Sequence, residues 1–137
     1  MRSELYQRIS TIEEAYEFML AYAAQGLAGD AASQSGGQLR ELLTRAGVAL
    51  TGIGDLLRAV VDQEGLAPPA RYHAYAAVVE RDAADSLAAV ELVLSLPSIS
   101  SQVIDNLNAS MHLRALLTDL FLIDEILKAH VGGSAVR

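Results

Sequence analysis

A chain of 137 residues, 52% of them apolar, is long enough to bury a core of its own, and one domain accommodates it. Its formal charge of −7, with one lysine and nine scattered arginines, excludes the clustered cations that a nucleic-acid backbone requires. The absence of cysteine removes disulfides, thiolate metal sites and cysteine nucleophiles together, and fits a reducing, cytoplasmic setting.

The N-terminal stretch "MRSELYQRIS" carries charges where a secretory signal needs an apolar run. No segment approaches the roughly 18 apolar residues of a membrane span. A first helix opens at Ser3, or at the capping-box pattern "STIE" where Ser10 caps and Glu13 reaches back, and ends near Gly26 or Gly29. Leu5, Ile9, Ile12, Tyr16, Met19, Ala23 and Leu27 alternate four and three apart on it, the repeat of a bundle helix. Glu13, Glu14 and Glu17 read as its solvated face, while Phe18 and Tyr22 lie off the core line and could form an aromatic patch for a partner.

"GDAASQSGGQ" is loop by composition, with its later part available as a first turn capped by Ser35. A second helix follows to about Glu64. It is one-sided, with Leu39, Leu43, Ala46, Leu50, Ile53, Leu57 and Val61 on one face. Gly47, Gly52 and Gly54 each cost about 1 kcal/mol against alanine inside a helix. At least Gly47 and Gly54 are therefore expected to admit a close neighbour, unless they mark a kink.

Gly65 stops that helix, and Pro68 or Pro69 opens the third, which reaches Leu96. Tyr72, Ala76, Val79, Ala83, Leu87, Val90 and Leu94 form its core line. The opposite face carries a second stripe of small residues that includes Ala77, Ala84 and Ala88, and small side chains there let another helix come close.

The fourth helix opens in "PSISSQ" and fades at "GGSAVR", so residues 1–130 read as the helical domain and 131–137 as a flexible tail. Val103, Ile104, Leu107 and Met111 make a normal stripe in its first half. Beyond Ser110 that line runs through Arg114, Thr118 and Glu125, while Leu113, Leu116, Leu120, Ile123 and Leu127 take the other side. Either the helix breaks near residues 109–112, or its second half serves both the core and another subunit, with Leu117, Phe121 and Leu122 on the intramolecular side.

Four helices with short connectors predict an all-α, antiparallel, up-down-up-down four-helix bundle. The doubled apolar faces of the third and fourth helices predict a homodimer or tetramer, with Leu113, Leu116, Leu120, Ile123, Leu127, Ala77, Ala84 and Ala88 at the interface.

The polar residues carry no strong catalytic pattern. Residues 70, 109 and 127, three before the histidines, are not glutamate, so a two-metal bundle site lacks ligands. "LTGIGDLL" has no lysine for a phosphate loop, and no serine sits in GxSxG. Asp105, Asn108, His112 and Asp119 form one polar line on the fourth helix, spaced so that His112 is within reach of a carboxylate. His73 and Glu80, seven apart beside Tyr72 and Tyr75, form a weaker one.

The expectation is thus a small non-enzymatic oligomer, regulatory or adaptor-like. It binds itself, with room for an unidentified protein partner, and takes no cofactor, metal, nucleic acid or membrane. The alternative is a bundle enzyme or ligand binder with an inter-helix pocket around His112, Arg114 and Asp119.

Overall fold

The computed structural model describes residues 1–31 and 33–136, the last six in backbone only. It contains α1 (Arg2–Ala24), α2 (Gln34–Leu50), α3 (Ile53–Glu64), α4 (Pro69–Leu94), α5 (Ser101–Ala109) and α6 (His112–Val136). Among the described residues there is no strand. The tail expected over residues 131–137 falls on side chains, and at residue 137 on backbone, outside the described part.

Among the described residues six helices stand where four were expected because two of the four are broken. The second divides into α2 and α3 at Thr51, which is extended, and Gly52, which takes the left-handed φ of 74° open to glycine at little cost. The fourth divides into α5 and α6 at Met111, a residue with φ of 69°, rare without glycine. This is the break considered for residues 109–112. The true N-caps are Ser33, whose hydroxyl accepts from the Gly36 amide, and Ser100, which accepts from Val103.

α1 packs against α2, α3, α5 and α6, and α4 packs against α2, α3 and α6. Leu5, Ile9, Ile12 and Met19 of α1, and every apolar residue expected on the inner face of α2 and α3, are buried. Tyr22 belongs to this core too. It is fully buried, and its hydroxyl donates to the Ile99 carbonyl at 2.7 Å, so it is not part of an aromatic patch for a partner.

Of the glycines expected to admit a neighbour, Gly54 does so. A Cβ there would lie 2.7 Å from Glu80 Cβ and 3.2 Å from its Cα, so α3 and α4 approach backbone to backbone. A Cβ at Gly47 would meet only Leu87 Cδ1, at an ordinary 3.6 Å. Gly54→Val should therefore lower stability by about 1–3 kcal/mol. Gly47→Ala should leave it level or raise it by up to about 1 kcal/mol. Thermal melting of the two variants side by side tests the difference; equal midpoints would refute it.

One end of the molecule is held by a polar clasp that joins the 25–31 and 94–101 segments. The Arg40 guanidinium pairs with the buried Asp30 carboxylate and donates to the carbonyls of Leu94 at 3.2 Å and Leu96 at 2.8 Å. Asp30 Oδ1 accepts from the Ile99 amide at 2.6 Å. Chiefly through Arg40, the acid of Asp30 is held down to about 2. Ser101 joins the same end, since its hydroxyl donates to the Tyr22 carbonyl at 2.7 Å and accepts from the Leu27 amide at 2.8 Å. At the opposite end Arg2 pairs with Glu64 and donates to the Leu127 carbonyl at 2.9 Å.

Candidate functional site

The polar line expected on the fourth helix does not assemble. The break at Met111 resets the direction in which α6 presents its side chains, so spacing counted across it no longer marks one face. Asp105, His112 and Arg114 are exposed. Asn108 is half-buried, with both side-chain amide atoms buried and without a hydrogen-bond partner. Asp119 is half-buried with Oδ2 enclosed, whereas His112 and Arg114 face solvent, so the three are not gathered into one enclosed site among the described residues. His73 and Glu80 separate as well: His73 Nε2 lies 2.8 Å from Asp62, and Glu80 accepts from Arg58.

The five leucine and isoleucine positions expected at a subunit interface are core residues. Leu113, Leu116, Leu120, Ile123 and Leu127 are buried within the chain, whereas Phe121 and Leu122 are 42% and 52% exposed. The two sides of the fourth helix are the reverse of those expected for its second half, except that Leu117 is buried. Ala84 and Ala88 are exposed on α4, and Ala77 is half-buried.

A site does form where α4 and α6 meet. Tyr75 and Asp82 are seven apart on α4 and so share one side of it. On α6, Asp119, Leu122, Ile123 and Ile126 follow at offsets of three, four and seven, again one side. The Tyr75 hydroxyl donates to the Asp119 carbonyl at 3.1 Å, which ties the helices together at this level. Pro68, Arg71, Tyr72 and Tyr75 from the α4 side and Leu122, Ile123 and Ile126 from α6 line an apolar groove of about 330 Å³.

Electrostatics at this seam are unusual. Burial, then hydrogen bonding and charge from Asp82, push the Asp119 acid up to about 7, while Tyr75 pulls weakly the other way. Burial, reinforced by the charges of Asp119 and Asp82, pushes the Tyr75 phenol up to about 12. Asp119 Oδ2 is buried and no donor reaches it. The chief cause is desolvation: a carboxyl whose Oδ2 is enclosed resists taking a charge.

A second tyrosine of the groove, Tyr72, meets His130 of α6. His130 Nδ1 lies 3.1 Å from the Ile126 carbonyl, which can only accept, so Nδ1 carries the hydrogen. Nε2 is then the acceptor for the Tyr72 hydroxyl at 3.3 Å, and the two rings meet edge to face with centroids 5.8 Å apart.

Sequence reasoning missed Asp82 and named Tyr75 only as a neighbour of His73 and Glu80. Asp82 stands in the charged stretch "ERDAAD" and reads as a solvated residue, and only its position seven after Tyr75, on the flank of the core line, marks it.

No helix is long and apolar enough to cross a membrane, and no group of three or more His, Asp or Glu side chains is placed to hold a metal ion, among the described residues. No protein-family model, curated protein or solved structure matches the chain.

Proposed function

We propose that this chain is a small oligomeric helical protein, regulatory or adaptor-like and not an enzyme, whose copies pair through the exposed face of α4 and α6. The observation that carries the reading is the α4–α6 groove with Leu122 half-exposed at its edge, next to Phe121 on the same helix.

Charge favours a second copy as the occupant of that face. Arg71, Arg81 and Arg114, all exposed on α4 or α6, have no ion-pair partner among the described residues, whereas Arg2, Arg8, Arg40, Arg45, Arg58 and Lys128 do. Exposed Asp85 and Glu125 lie on the same two helices. An apolar groove with the unpaired Arg71 in its lining suits an acidic second copy, which can offer both apolar side chains and a carboxylate. Elsewhere a chain of charge −7 repels its copy.

The expected four-rod architecture belongs to the same proposal. Contacts of α1 and α4 with α2–α3 on one side and α5–α6 on the other support a bundle of four rods, two of them jointed. A cytoplasmic location is supported by the absence of cysteine. The alternative of an enzyme or ligand binder has less support, because His112 and Arg114, two of its three polar groups, face solvent.

Light scattering at micromolar concentration should report about twice the 14.6 kDa of one chain, or a multiple of that dimer. Leu122→Glu should return the mass to one chain while the helical circular dichroism stays intact, because it places a charge in the apolar centre of the contact. A wild-type mass of one chain, or a Leu122→Glu variant that remains paired, would refute this face as the contact.

A further inference from the structure

We infer that α6 of the second copy fills the groove, its Phe121 ring against Leu122 and Tyr75 and its Glu125 carboxylate on Arg71, under a two-fold axis that runs along α6. This inference rests on the pairing proposed above and names what each copy places in the groove of the other.

The period of α6 separates the two halves of the contact. At about 100° per residue, Ile126 and Ile123 stand about 40° and 100° from Leu122 on the side that meets α4, and Glu125 and Phe121 stand about 60° and 100° from it on the other side. The strip between these flanks, which holds Thr118, Leu122 and Ala129, is exposed. One helix thus carries a socket on one flank and a knob on the other. Phe121 is 42% exposed and is the single aromatic among the large apolar side chains exposed in the described residues. The groove, at about 330 Å³, is larger than one phenyl side chain.

Charge selects the neighbour of that ring. Arg71 lines the groove, is exposed, and has no ion-pair partner among the described residues. The Glu125 side chain is 77% exposed, and the cation nearest to it, Lys128 at 3.8 Å, is 3.2 Å from Asp124. The lysine is matched by Asp124, which leaves the Glu125 carboxylate for another cation.

The levels agree as well. Tyr75 meets Asp119 and Tyr72 meets His130, so α4 and α6 run in opposite senses, and Arg71 enters the groove beside Ile126, the residue after Glu125. A two-fold axis along α6 keeps every residue at its own level and turns the knob flank of each copy to the socket flank of the other. Glu125 of one copy then stands level with Arg71 of the other, and Phe121 with Leu122. Asp85, also exposed on α4, lies about 21 Å along the axis from Arg71 and is out of reach. An axis across α6 would set groove against groove and leave Phe121 outside.

The test uses the full chain and sedimentation velocity. Arg71→Glu and Glu125→Arg, both at exposed positions, should each keep the helical circular dichroism and raise the pairing dissociation constant about a hundredfold or more, because each sets like charges together at both symmetric contacts. Mixed in equal amounts, the two variants should pair with each other within about tenfold of the wild-type constant, since every contact then joins opposite charges. Both variants stay net negative, so overall charge gives no such attraction. Phe121→Ala should weaken wild-type pairing about tenfold or more. A mixture that stays as single chains, an Arg71→Glu variant that pairs as the wild type does, or a Phe121→Ala variant of undiminished affinity would overturn this arrangement while a Leu122→Glu variant that dissociates keeps the pairing face. A wild type that stays a single chain would overturn the pairing face and the arrangement together.

Discussion

Leu120→Glu should yield a chain with no cooperative thermal transition, although Leu122→Glu, two residues further on, should melt much as the wild type does. Leu120 is fully buried in the core shared by α6 and its neighbours, and a glutamate there has neither water nor a cation to receive its charge. The loss of the leucine contacts costs about 3 kcal/mol, and burial of the unpaired acid adds several more. Against a total stability of about 5–15 kcal/mol, that is enough to unfold a small domain. Leu122 is half in solvent already, and a glutamate there keeps its water. Circular dichroism melts of the two variants check the contrast; a folded Leu120→Glu protein would mean that this side of α6 faces outward.

The second large effect is expected at the clasp. Asp30→Ala removes the acceptor of the Ile99 amide and the partner of Arg40 in one step. The loss should be about 3 kcal/mol, the lower end for breaking a buried pair, because the Arg40 side chain is 33% exposed and keeps some water. The wild type should also lose stability in acid with a definite sign. Asp30 is lowered in the fold from 3.8 to about 2, so its contribution is complete above about 4 and is lost as pH falls through about 2. Urea unfolding at pH 7 and at pH 2.5 measures both effects. The Asp30→Ala variant should lose less stability over that change than the wild type, and an equal loss in both proteins would remove Asp30 as a cause.

The inner face of α2 and α3 was legible because the break between them leaves it in register. Leu39, Leu43, Ala46, Leu50, Ile53, Leu57 and Val61 remain on one side of the pair, and all are buried. On α6 the apolar line from Leu113 to Leu127 was legible as a line but not in its direction. Periodicity fixes which residues share a side, and carrying the inner side of α5 across Met111 assumed a continuous helix. The left-handed φ of Met111 removes that assumption, and no local residue preference announces it, since methionine is not a residue that usually adopts it. The clasp and the Tyr75–Asp119 contact were illegible for another reason. Asp30 meets Ile99 across 69 positions, and Tyr75 meets Asp119 across 44, so neither encounter leaves a spacing to read. Polar side chains of this kind show no period, and their partners are set by tertiary packing alone.

The joint at Ser110 and Met111 gives α5 and α6 different mechanical standing. A continuous helix passes an axial push or twist from end to end through its ladder of hydrogen bonds, and a left-handed residue interrupts that ladder. α5 is anchored at the clasp through Ser101, and α6 carries Asp119 and the groove residues at the far side of the joint. A rigid rod in this position would lever the clasp whenever its distal half tilted. With the joint at Met111, the line of α6 against α4 is set independently of α5, which stays anchored at the clasp.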